Sequence, residues 1–147
     1  MKKALLFSGS HPRHLFVHRE LLNIFDEYFI IVMERENLLP ETPKNTSELD
    51  KQNFIKHFKN RARIEKDCYG ILDPYEVFKN FRFIYIKPNE LNSEKVIKHV
   101  KEYNADFAFI FGTDLIKPPL LNILPKNKIN LHLGLTPWFR GSATLFW

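Results

Sequence analysis

Short apolar runs alternate with amphipathic stretches along this chain, and the alternation sets the order of its elements. Lys3 to Phe7 is a short apolar strand, ended by the polar segment Ser8 to His14. Arg13 to Phe25 carries Leu15, Leu22 and Phe25 near one face, the spacing of a helix. Tyr28 to Met33 is apolar throughout, as expected of a strand buried on both faces. Glu34 to Asp50, with Pro40 and Pro43, reads as a loop or lid, and Thr46 or Ser47 is placed to cap the helix that follows. Through that helix, Lys51 to Lys66, the apolar positions Phe54, Phe58 and Ala62 recur at helical spacing, and Gly70 and Pro74 end it. Phe81 to Ile86 predicts a strand, Asn92 or Ser93 caps a helix running to Tyr103, and Ala108 to Phe111 predicts another strand. A short helix over Leu120 to Leu124 follows Pro118 and Pro119, and Lys128 to Leu131 closes the series as a strand. Strands alternating with helices predict an α/β fold: a Rossmann-like, doubly wound, mostly parallel sheet in one domain over 1–147.

Composition narrows the classes. A chain of 147 residues buries a real core in one domain, and 44% hydrophobic with 27% charged residues excludes a disordered protein. The apolar stretch after Met1-Lys2-Lys3 breaks at Ser8-Gly9-Ser10, too soon for a signal peptide. No run approaches the length of a membrane span, so no membrane partner is expected. One cysteine, Cys68, excludes an internal disulfide and fits a reducing compartment, hence a cytoplasmic protein. No metal is expected, because Cys68 has no partner cysteine and no second ligand stands at metal-binding spacing around His132.

The net charge of +5 is local. Lys51, Lys56, Lys59, Arg61, Arg63 and Lys66 face one acid, Glu65, along the basic helix. A solvated outer face accounts for this; attraction for a phosphorylated or polyanionic small molecule is the sharper reading. Nucleic acid is not an expected partner, since no recognised module or aromatic stacking signature accompanies the charge.

Candidate chemistry gathers at the end of the chain. Asn130 and His132 lie two positions apart at the end of the last apolar run, so strand alternation points them to the same side. The carboxyl end of a strand in an open α/β sheet faces the crevice where ligands bind. A carboxamide there can donate to a developing oxyanion, and an imidazole can move a proton near neutral pH. Pro137 and Gly141 bracket a rigid turn beyond them. Upstream, Ser10, Arg13 and His14 join the first strand to the first helix, where helix amides attract anions. They form either a phosphate grip or an ordinary polar loop; with one glycine, neither a dinucleotide fingerprint nor a P-loop is matched. After the next-to-last strand, Gly112 lets backbone approach a ligand and Leu115 and Ile116 can wall a pocket, although a plain strand-to-helix turn explains the same residues. No Gly-x-Ser-x-Gly elbow is present, which argues against a serine hydrolase.

The block Asn130-x-His132, followed by Gly134-Leu135-Thr136-Pro137 and Arg140-Gly141, resembles the formyltransferases that use 10-formyltetrahydrofolate. Glycinamide ribonucleotide and methionyl-tRNA formyltransferases belong to that superfamily, which shares a Rossmann-like catalytic domain. The family's usual serine two residues after the histidine is Gly134 here. The order strand, Gly112-x-x-Leu115-Ile116, helix, strand, Asn-x-His also fits, so the likeness covers most of the chain. The stretch from Thr136 to Trp147 looks more like members acting on amino sugars or cell-surface precursors.

The resemblance implies formyl transfer from 10-formyltetrahydrofolate to an amine of a small phosphorylated acceptor, such as an amino-sugar nucleotide. It implies that Asn130 holds the formyl oxygen and His132 manages protons. It sets Gly112, Asp114, Leu115 and Ile116 on the folate side and Ser10, Arg13, His14, Arg140 and Gly141 on the acceptor side. The family's site is completed by an aspartate on a loop well downstream of the histidine, and none follows His132 here. Ser142 to Trp147 reads as the opening of a helix, so the expectation is the front portion of a longer enzyme, its fold incomplete at the C-terminus. Hydrolysis of formyltetrahydrofolate, and folate or nucleotide binding without catalysis, are the alternatives.

Overall fold

The computed structural model describes residues 1–39, 41–132 and 134. Its strands are β1 (Lys3–Gly9), β2 (Glu27–Met33), β3 (Arg82–Ile86), β4 (Phe107–Phe111) and β5 (Asn127–Asn130). Its helices are α1 (Pro12–Glu20), α2 (Glu48–Tyr69), α3 (Pro74–Val77), α4 (Glu94–Tyr103) and α5 (Leu120–Ile123). The strands form one sheet in the order β3-β2-β1-β4-β5, and every pairing among the described residues is parallel. This is the α/β, Rossmann-like arrangement that the alternation predicts.

The pleat sorts the apolar runs into two cores. Ala4 and Leu6 of β1, Ile30 and Val32 of β2 and Phe109 of β4 face Leu15 of α1 and Phe78 beyond α3. Leu5 and Phe7, Ile31 and Met33, and Ala108 and Ile110 face Val96 and Val100 of α4 and Leu120 of α5. Burial on both faces is why these strands are continuously apolar and not alternating. The chain steps outward from β1 to β3 and then returns to β4. With right-handed crossovers, that reversal puts α4 on the face opposite α1 and opens a crevice between the carboxyl ends of β1 and β4.

The strand bounds shift by one or two residues from those expected, β5 to Asn127–Asn130, and the larger differences, in α1, α2 and α3, have local reasons. Helix α1 stops at Glu20, short of Phe25, because the Tyr28 hydroxyl accepts the Ile24 and Phe25 N–H groups at 2.9 and 2.6 Å and donates to the Leu21 carbonyl at 2.8 Å. Those bonds hold the segment as a turn. Helix α2 extends beyond both Lys51 and Lys66: Ser47 caps it by accepting the Asp50 N–H, and Gly70, at φ +76°, ends it. Asp73 caps the short α3, where Pro74 was read only as a breaker.

Candidate active site

Strand β5 pairs with β4 so that Asn130 stands beside Ile110, and the Leu131 N–H donates to the Ile110 carbonyl at 2.9 Å. In-register neighbours in a parallel sheet share a face, so Asn130 lies on the side covered by α4 and α5. A cavity of about 610 Å³ opens there, and Asn130 and His132 both line it. Asp114, Leu115 and Ile116 form another wall, and Thr113 and Leu121 also line the cavity. Five residues named from the sequence, distributed over two chain segments, therefore meet in one place.

The wall from 113 to 116 is tied down from outside. The Asn92 side chain donates to the Leu115 carbonyl at 3.1 Å and accepts the Lys117 N–H at 2.8 Å. Ser93, not Asn92, caps α4 by accepting the Val96 N–H. Ile116 is buried in the core, whereas Leu115 is 73% exposed and offers apolar surface to a ligand.

Arg35 and Lys128 supply positive charge to the same cavity. Arg35 donates to Asp114 at 2.6 Å and pairs with Glu36 at 2.9 Å, while its backbone N–H donates to the Ser10 hydroxyl at 2.8 Å. Ser10 thus holds the segment after β2. Sequence reading missed both cations, yet each carried a signal. Arg35 follows the carboxyl end of β2, and Lys128 shares the parity of Asn130.

Ser10, Arg13 and His14 do not converge on a common point in the described contacts. Arg13 donates to the buried carboxylate of Glu65 on α2 at 2.6 Å. His14 is buried between Gly9 and Gly112, so Gly112 approaches an imidazole and does not line the cavity. Burial, reinforced by the nearby Arg13 guanidinium, pushes the His14 ring down to about 2, so it is neutral at physiological pH. His11 is lowered by burial as well, and its Nε2 lies 2.7 Å from the Glu36 carbonyl. Arg140 and Gly141, with Pro137 and the stretch from Ser142 to Trp147, lie outside the described residues.

No helix among the described residues is long and apolar enough to cross a membrane.

No family model matches the chain. It is similar to the methionyl-tRNA formyltransferase of Thermodesulfovibrio yellowstonii, 34% identical over 62 residues, which cover 42% of this chain and 20% of that relative. The enzyme of the same name from Clostridium botulinum is 41% identical over 64 residues, with 42% and 20% covered. That of Buchnera aphidicola is 32% identical over 77 residues, with 51% and 24% covered. The matched part of the chain spans a fifth to a quarter of the length of these relatives. The acceptor in their names is linked to a nucleic acid, whereas the sequence reading expected a small amine.

Proposed function

From these relatives, which support the formyltransferase family for this chain, we propose that the cavity at the carboxyl ends of β4 and β5 is where a formyl group passes from 10-formyltetrahydrofolate to an amine. The observation that carries this reading is the meeting of Asn130 and His132 with the Asp114–Ile116 wall in one cavity. About 610 Å³ is within the ordinary range for a small-molecule site. Ile110, Leu115 and Leu121 suit the flat face of a pterin, and Arg35 and Lys128 suit the carboxylates of a folate tail.

The chemistry asks little of the protein beyond charge placement. As the amine nitrogen adds to the formyl carbon, the formyl oxygen gains negative charge, and the Asn130 carboxamide donates a hydrogen bond to it. His132 accepts the proton that the amine must lose and delivers one to the departing folate nitrogen as the carbon–nitrogen bond to the donor breaks. One proton thus leaves the acceptor and one reaches the donor. The acceptor is an amine in either form: a small phosphorylated amine, as an amino-sugar nucleotide, or the aminoacyl group of a methionyl-tRNA.

The test supplies 10-formyltetrahydrofolate with methionyl-tRNA, with an amino-sugar nucleotide, or alone, and follows both tetrahydrofolate and formylated amine. Formylated product in either acceptor arm supports the reading and identifies the amine. Formate release without acceptor replaces transfer by hydrolysis, and donor binding without turnover in all arms leaves folate binding without catalysis.

A further inference from the structure

The strand order reverses between β1 and β4, where an open α/β sheet has its crevice. In this protein a side chain occupies that place. The His14 imidazole lies against Gly9, the last residue of β1, and Gly112, the residue after β4, and a Cβ on either glycine would collide with the ring. Gly112 also holds a φ of +82°, a left-handed conformation that disfavours any other residue. The ring stacks on His11, with centroids 5.5 Å apart and planes 14° from parallel, and meets Phe111 edge-on at 4.7 Å. Only 4% of His14 is exposed.

We propose that His14 is a positioning residue, a flat ring wedged in the switch-point crevice that fixes Gly112 and, through it, the 113–116 wall facing Asn130 and His132. The role assigned here rests on reading that cavity as the formyl-transfer site. Asn92 pins the far end of the wall through Leu115 and Lys117, and Arg35 holds its middle at Asp114, so the near end, at Gly112, is the one left to be set. Glycine on both sides makes the slot one planar ring thick. An alanine at 14 leaves it empty, and a branched side chain does not fit it. Since the buried ring is neutral, it acts by shape and not by charge.

The experiment compares the wild type with His14→Ala, His14→Phe and His14→Leu. Amide hydrogen exchange is read at residues 112 to 116, and calorimetry uses 5-formyltetrahydrofolate as the probe. In His14→Ala, exchange at these amides accelerates and Kd rises about tenfold, a loss of about 1.4 kcal/mol. Added free imidazole restores both, more at pH 8 than at pH 6, because only the neutral ring enters the slot. His14→Phe, which keeps a planar ring without nitrogens, stays near wild type. Unchanged exchange and Kd in folded His14→Ala, or losses that imidazole does not reverse, overturn the proposal. If His14→Ala does not fold, the other two variants decide: slower exchange in Phe than in Leu supports the wedge, and equal exchange overturns it. A wild type that fails to bind the probe removes the folate reading of the cavity, while the exchange arm still decides whether His14 sets the wall.

Discussion

Arg35 Nη1 lies 2.6 Å from Asp114 Oδ1, joining the segment after β2 to the loop after β4. The pair borders the 610 Å³ cavity and also a neighbouring one of about 490 Å³ lined by Glu34, Glu36 and Pro88. The pair stands between the two spaces, and both of its residues line each of them.

Because the Asp114 side chain is half exposed, the pair contributes under about 1 kcal/mol to stability. Its weight falls on binding, where Arg35 is a cation on the cavity wall. Arg35→Met is expected to leave urea unfolding within about 1 kcal/mol of wild type. The same change weakens 5-formyltetrahydrofolate binding about tenfold, or about 1.4 kcal/mol. Calorimetry beside urea titration checks both halves, and unchanged affinity removes Arg35 from the proposed folate site.

Glu65 is the one buried residue of α2, and it faces Arg13 of α1 at 2.6 Å and Arg61 at 3.7 Å. Removing it leaves two guanidinium groups without their shared counterion. Breaking a buried pair costs about 3–5 kcal/mol, and here the arginine side chains are about a quarter exposed, so Glu65→Ala is expected to cost about 2 kcal/mol. A double-mutant cycle with Arg13→Ala isolates the pair. Additivity within about 0.5 kcal/mol shows that α2 is held to α1 by something else.

The three buried histidines of the α1 region make stability fall in mild acid. His14 is pushed down to about 2 and His18 to about 4, both chiefly by burial, and His11 is lowered too. Their folded pKa values lie below the unfolded value near 6.5, so below that pH the unfolded chain binds protons that the folded chain refuses. Stability is therefore full above about pH 6.5 and declines as pH falls, with a slope of up to about 1.4 kcal/mol per pH unit for each histidine. Glu36, also lowered, adds to the loss only below about pH 4.5. Urea unfolding between pH 7.5 and 4.5 is expected to show this slope, and His18→Leu to flatten it. A flat profile in the wild type contradicts the buried neutral state.

How much of this was legible in the sequence depends on the range of the interaction involved. Tyr28–Met33 announced itself by continuous apolarity, and Asn130 with His132 by parity at a strand end, both local signals. The true end of α1 was hidden because a tyrosine on the next strand decides it. By sequence His14 belongs either to a phosphate grip or to an ordinary polar loop, because its neighbours in sequence are polar. Its neighbours in space are Gly9, Gly112 and Phe111, and two of these arrive from a distant strand. Arg35 sat in a stretch read as a loop or lid, and only the sheet order brings it to Asp114.

Asn130, proposed with His132 as catalytic, allows the sharpest separation of stability from activity. Asn130 is exposed on the last described strand, and His132 is half-buried just beyond it. Asn130→Ala is expected to change unfolding free energy by less than about 0.5 kcal/mol. In turnover the two should differ from wild type by large factors. Loss of one preorganised oxyanion donor lowers kcat by about 10²–10³, and loss of a general base by about 10²–10⁴. The two losses also differ in kind. Replacing Asn130 removes the hydrogen bond to the growing oxyanion, whereas replacing His132 removes the group that carries the proton. Steady-state kinetics of formyl transfer across pH 5.5 to 9, with far-UV circular dichroism of each variant, reads out both. Near-normal turnover in either variant removes that residue from the proposed site.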